Sequence, residues 1–248
     1  MQRAISCFSN AIFGVARPSG RELERLLNNI LARSSSPTER EECCQVCGGQ
    51  LSWHRVAEKH CKTCIFKRGT PCRTIALSSY DQGLGLLLAA AKYGGWDEPL
   101  RLAGKLLGAE IHIRMGNALD ETVIVPMPSP WIRTLHRGID HSMVIANEVS
   151  NVTGWPIRRV LKRHWAKPQV GLSRAERMRG GKGLLVNSAH RLSSCVEGKS
   201  VVLIDDVRTT GASLDKASRK CIALGAKQVI AGVLAMQGNT DCELKMSM

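Results

Sequence analysis

Aromatic residues are scarce in this chain: three Phe, two Tyr and five Trp among 248 residues. A core must therefore be assembled from Leu, Val, Ile and Ala, and few rings remain to act as stacking platforms for nucleobases. Long apolar runs are missing too. The best, residues 84–91, falls far short of the ~18–20 residues that span a bilayer, which excludes an integral membrane helix. Acids are in short supply, 21 Asp+Glu against 35 Lys+Arg, leaving a net charge of +14. So basic a chain is drawn to polyanions: nucleic acid, an anionic membrane surface or phosphorylated small molecules. The excess is uneven, with 12 Lys/Arg and 3 Asp/Glu between residues 133 and 191. A convincing signal peptide is also lacking. The first fifteen residues hold one Arg and a short apolar patch broken by Ser6, Ser9 and Asn10, so a reducing, cytoplasmic location is expected.

Apolar residues make up 44% of the chain, enough for a buried core, and the length suits one full domain with a small module or two modest domains. Ten cysteines would suit a secreted disulfide scaffold, but their spacing argues against it. Cys43, Cys44, Cys47, Cys61, Cys64 and Cys72 cluster, while Cys7, Cys195, Cys221 and Cys242 are scattered. In a reducing compartment clustered cysteines bind metal more often than each other. Cys44-x2-Cys47 and Cys61-x2-Cys64 form two knuckles separated by 13 residues, and four thiolates so spaced can surround a tetrahedral Zn2+. The metal would supply folding energy that so short a segment cannot obtain from burial. The competing reading is a set of reduced, buried cysteines, with Cys43, Cys72, His54 and His60 as spare ligand candidates.

Four regions follow: a helical appendage and linker at 1–40, the zinc module at 41–78, an α/β domain at 79–240 and a tail at 241–248. In the first, Ser19 is placed to N-cap a helix whose apolar face carries Leu23, Leu26, Leu27, Ile30 and Leu31. In the third, strands and helices alternate. Residues 84–92, 100–107, 141–152 and 214–224 read as helices, and 122–126, 157–161, 201–204 and 228–235 as strands. The strands are continuous rather than alternating apolar runs, which predicts a parallel sheet covered on both faces.

The segment after Ile204 carries the chemistry. A buried strand ends in Asp205 and Asp206, and the loop Val207-Arg208-Thr209-Thr210-Gly211-Ala212-Ser213 opens a helix. At the carboxyl end of a parallel strand that is where ligands bind. Backbone N–H groups at the helix start make a phosphate cradle, and Gly211 lets the backbone approach closely. Two acids would repel a bare phosphate. They suit a ligand that also presents ribose hydroxyls or a divalent cation, so the combination describes a phosphoribosyl ligand.

This segment resembles the motif of type I phosphoribosyltransferases that binds 5-phosphoribosyl 1-diphosphate (PRPP): an apolar strand, two acids, then Thr-Thr-Gly-x-Ser/Thr. Arg208 stands where an apolar residue is usual. From about Cys44 to Met236 the layout resembles the ComF family of competence-associated, phosphoribosyltransferase-like proteins, which also begin with paired cysteines. Lys92-Tyr93-Gly94-Gly95, Val125-Pro126-Met127-Pro128, Arg137-Gly138 and the run from Gln169 to Arg177 carry this second likeness. Asp140-His141 replaces an Asn-Gln pair frequent in the family, and Gly180 replaces an Asn.

The resemblance implies a type I phosphoribosyltransferase-like fold, PRPP with Mg2+ as ligand, and residues 205–213 as its seat. It further implies a pyrophosphate loop near Met127, Pro128 and Ser129, assisted by Arg133 and Arg137, and a hood at 163–183 whose Lys167, Arg174 and Arg177 face the leaving group. Two functions are then expected in competition. One is transfer of phosphoribose to an acceptor that the residues do not specify. The other is a non-catalytic accessory role in DNA uptake, binding single-stranded DNA or a DNA-handling partner; a sensor that binds PRPP without turnover is a third.

Overall fold

A computed structural model describes residues 19–33, 44, 72–80, 84–85, 87–88, 91, 96–115, 121–129, 139–163, 184–186 and 194–236. Within them, three apolar runs build most of one sheet: Thr122–Pro126 (β2), Ser200–Arg208 (β5) and Gln228–Met236 (β6). With Arg73–Ser79 (β1) they form a four-stranded sheet in the order β1-β6-β5-β2, all parallel. Every carboxyl end therefore lies on one side. A short antiparallel ribbon pairs Leu161–Arg163 (β3) with Leu184–Val186 (β4). Beyond β2, Ile157 makes a single parallel bridge to Ile124, so the expected strand at 157–161 is one bridge followed by β3.

Successive residues of the central strands point to opposite faces, and both faces are apolar, which explains the unbroken runs. Ile124, Val202, Ile204, Ile230 and Leu234 join one core with the helices Glu98–Met115 (α2) and His141–Thr153 (α3). Val123, Val125, Val201, Leu203, Ala231 and Val233 join a second core with Ala212–Ala223 (α4). The N-terminal helix Gly20–Arg33 (α1) begins as expected at Ser19, whose N–H and Oγ–H donate to Glu22 Oε2 at 2.8 and 2.7 Å. Those bonds, in the manner of a capping box, hold the Glu22 carboxyl below its ordinary pKa. Leu23 and Leu27 are buried in the first core, so α1 is docked against the domain and is not an appendage.

β1 is the element the sequence hides. Arg73-Thr74-Ile75-Ala76-Leu77-Ser78-Ser79 mixes polar and apolar residues as an edge strand does, and its pairing with β6 brings the α/β domain forward into the span assigned to the cysteine module.

Gly232, in the middle of β6, marks where α2 presses on the sheet. A Cβ there would lie 2.6 Å from Ile111 Cδ1 and 3.0 Å from Ile204 Cδ1, and both isoleucines are fully buried. Gly232→Val is expected to destabilise the domain by about 1–3 kcal/mol through overpacking. A thermal melt should show a midpoint lower by several degrees; an unchanged midpoint would refute this packing.

Candidate functional site at the carboxyl ends of two strands

β2 and β5 run in register up to Pro126 opposite Ile204, and the Met127 N–H then donates to the Ile204 carbonyl at 2.8 Å. There β2 stops, since proline at 126 and again at 128 removes the donors that would extend the ladder. β5 continues beside β6 through Arg208, paired with Met236. The acids thus sit on the strand itself, in a stretch that has lost its β2 neighbour. Asp205 and Asp206 are both half-buried. The ladder with β6 fixes the backbone at Asp205 and Val207.

The start of α3 meets these acids residue for residue. Ser142 Oγ donates to Asp205 Oδ1 at 3.2 Å, and His141 Nδ1 lies 3.7 Å from Asp206 Oδ2. Each acid also accepts the N–H of the next residue: Asp206 N to Asp205 Oδ1 at 3.0 Å, and Val207 N to Asp206 Oδ1 at 2.7 Å. One residue earlier, Asp140 accepts from Ser129 Oγ at 3.2 Å and lies 3.6 Å from Arg159 Nη2. The 127–129 loop, the acids and the α3 start therefore form one hydrogen-bonded group. Asp140, His141 and Ser142 were not among the site residues expected from sequence. Their signal was the departure from the Asn-Gln pair at 140–141, legible as a change but not as a contact. Buried His141 Nε2 has no hydrogen-bond partner among the described residues.

Beyond Arg208 the chain turns at Gly211, which has φ 73 and is the N-cap of α4. A glycine offers no side chain to cap the helix, so the first amides of α4 lack that partner. The Ala212 N–H reaches Thr210 Oγ1 only at 3.4 Å. Thr209, Thr210, Ala212 and Ser213 are exposed around the turn, and Val207 packs against the first core. Arg208, expected among the ligand-contacting residues, turns its side chain into the interior, where it is 3% exposed.

Several expected residues lie outside those described: Arg133 and Arg137 of the pyrophosphate loop, Lys167, Arg174 and Arg177 of the hood, and Cys47, Cys61 and Cys64 of the zinc set. Cys44 is described and buried. The hood segment is bracketed by β3 and β4, which pair with each other. Cys72, a spare ligand candidate, belongs to the second core, where its Sγ donates to the Val229 carbonyl at 3.7 Å. Burial pushes its thiol up to about 11 and that of Cys221 up to about 12, so both stay protonated at neutral pH.

The donor set suits a phosphorylated sugar with a hard cation. Among the described residues no three His, Cys, Asp or Glu side chains gather as a metal-binding cluster. A cation beside Asp205 and Asp206 would thus take its other oxygens from ligand and water, which is how Mg2+ is ordinarily held with substrate phosphates. A helix N-terminus such as that of α4 directs its first amides outward, an arrangement that can receive an anion.

Several known proteins are similar to this chain. Residues 138–246 match the phosphoribosyl transferase domain family. The chain is 23% identical to competence protein F of Haemophilus influenzae over 75% of this chain and 81% of that protein. It is 27% identical to the DNA utilization protein YhgH of Escherichia coli over 68% of this chain and 74% of that protein. Among solved structures, a purine phosphoribosyltransferase from Pyrococcus horikoshii superposes with a TM-score of 0.36 at 18% identity, covering 56% of this chain and 73% of that one. The parallel sheet flanked by helices is a type I phosphoribosyltransferase-like fold.

Proposed function

We propose that this chain, which belongs to the ComF family, binds PRPP with Mg2+ and transfers its phosphoribosyl group to an acceptor still to be identified. The observation that carries this reading is the continuity of β5 past the end of β2. Two acids stand on an open strand edge, followed within five residues by a left-handed glycine and a helix N-terminus. Asp205 and Asp206 accept from the ribose hydroxyls, directly or through hydrated Mg2+; the amides and hydroxyls of 209–213 hold the 5-phosphate. Met127, Pro128 and Ser129 lie beside the diphosphate, with Arg133 and Arg137 close in sequence. Mg2+ supplies charge neutralisation to the diphosphate. By the family resemblance, Lys167, Arg174 and Arg177 supply positive charge to the leaving diphosphate. Titration calorimetry with PRPP and Mg2+ tests the binding, and a diphosphate-release assay over a panel of nucleobases tests the transfer. No heat at millimolar PRPP would end this reading.

A second reading has its own support. The interval 133–191 carries 12 basic and 3 acidic residues, and the two curated relatives are named for competence and DNA utilization. In this reading the basic interval engages single-stranded DNA and the fold serves an accessory role. Binding is then expected to show a log–log salt slope of roughly −0.7 per phosphate neutralised and little sequence preference. Fluorescence anisotropy with labelled oligonucleotides between low and physiological salt measures it. Absence of binding at the lowest salt would remove the DNA reading and leave the PRPP one standing. No described helix is long and apolar enough to cross a membrane.

A further inference from the structure

Arg208 stands inside the phosphate-loop motif, yet its guanidinium runs beneath the loop. Nη1 donates to the Cys72 carbonyl at 3.2 Å and to Thr74 Oγ1, and Nη2 lies 3.8 Å from Asp215 Oδ1. Asp215, also buried, accepts the Cys72 N–H at 3.2 Å through the same oxygen. One side chain thereby joins the entry of β1, the end of β5 and the first turn of α4. A charge this deeply buried is tolerable only when paired and hydrogen-bonded, and here both conditions are met.

The guanidinium also passes directly under Gly211. A Cβ on that residue would lie 2.4 Å from Arg208 Nη2 and 2.6 Å from Cζ. The space of a side chain at 211 is thus filled from below by Arg208. Glycine is required there both for its positive φ and for this approach, so positions 208 and 211 are chosen together.

We propose that Arg208 is a positioning residue of the phosphate loop: it touches no ligand, but hooks residues 209–213 onto Cys72–Thr74 and Asp215 and so fixes the amides that receive the phosphate. This rests on the reading that the loop binds a 5-phosphate. A loop held in its binding geometry loses less conformational entropy when the ligand arrives, and that saving appears as affinity. The apolar residue usual at this position in the motif could fill space but could not make the connection to β1.

Removing Arg208 alone would strand the Asp215 carboxylate, so the test uses the pair Arg208→Ala/Asp215→Asn, with Arg208→Lys as a milder variant. Ribose 5-phosphate is the probe, since it carries the phosphate without the diphosphate. The pair is expected to melt cooperatively and to bind ribose 5-phosphate about tenfold more weakly. Arg208→Lys, which keeps the charge but loses the fork that reaches both ends, should weaken binding in the same direction. Gly225→Ala serves as the control: Gly225 has φ 91 just past the far end of α4, and a Cβ there would lie 3.1 Å from Glu197 Cγ, so the change lowers the melting midpoint away from the loop and should bind as wild type does. Gly211→Ala should lower the midpoint by several degrees in the wild-type background and by clearly less in the paired background. Wild-type affinity in folded variants at 208 would overturn the positioning role, as would equally weak binding by Gly225→Ala. Equal penalties of Gly211→Ala in the two backgrounds would overturn the contact beneath the glycine. If the paired variant does not fold, Arg208→Lys decides the affinity question alone. If wild type binds neither ribose 5-phosphate nor PRPP, the proposed function fails and the positioning role with it, while the melts still judge the coupling of 208 to 211.

Discussion

With both Asp205 and Asp206 changed to Asn, PRPP affinity in the presence of Mg2+ is expected to fall by at least about tenfold. A hydrogen bond to a charged group is worth ~1.5–3 kcal/mol, so losing two of that strength would weaken binding by a hundredfold or more. The lower bound allows for the amide oxygen of Asn, which still accepts. The fold should survive. The acids lie on β5 beside β6, their backbone pairing is untouched, and Asn Oδ1 can still take the Ser142 hydroxyl and the Asp206 N–H. The competing view makes the pair a cap that organises α4, and the geometry speaks against it. The N-cap of α4 is Gly211, with no side-chain capping bond, and the acid in its first turn is Asp215, engaged with Arg208. Calorimetry and a thermal melt of the double variant separate the two. Unchanged affinity would show that the acids do not touch the ligand; a collapsed midpoint would return them to a structural role.

Most of the candidate site is legible in the sequence because its parts are contiguous. Strand, acids, turn glycine and helix start occupy the nine residues 205–213 and the run ahead of them, and each residue type has a local reason to be there. The three long parallel strands were legible for a similar reason: burial on both faces leaves an unbroken apolar run in β2, β5 and β6. What escaped was whatever depends on distant pairing. β1 reads as a polar edge until β6 is beside it. The extension of β5 to Arg208 depends on β6 reaching Met236, and a strand predicted from its own apolar run stops at Ile204. The inward turn of Arg208 depends on Cys72 and Thr74, more than 130 positions earlier in the chain, so spacing around the motif held no trace of it. Likewise Ser142 and His141 meet Asp205 and Asp206 only because α3 packs against the first face of the sheet.

Purified protein is expected to carry close to one equivalent of zinc, held by Cys44, Cys47, Cys61 and Cys64, and Cys61→Ser should lose it. Two CxxC pairs present four thiolates at structural-site spacing, and zinc binding to such sites releases ~10–16 kcal/mol at neutral pH in peptides. That exceeds what a segment of this size could bury, so loss of one thiolate should unfold the stretch from 44 to 64. The sheet should persist, because its two cores draw on β1, β2, β5 and β6 and on the helices packed against them. Elemental analysis measures the metal, and limited proteolysis of Cys61→Ser should cut first between 44 and 72. Cys72→Ser is the informative control. Its thiol lies in the second core against Val229, protonated with a pKa near 11, so it should cost some stability and leave the zinc content at one. Less than half an equivalent in wild type, with the cysteines oxidised to each other, would make the cluster a disulfide framework instead. Loss of zinc from Cys72→Ser would mean that the metal set reaches to the residue before β1, and the four-thiolate assignment would have to give up one of its members.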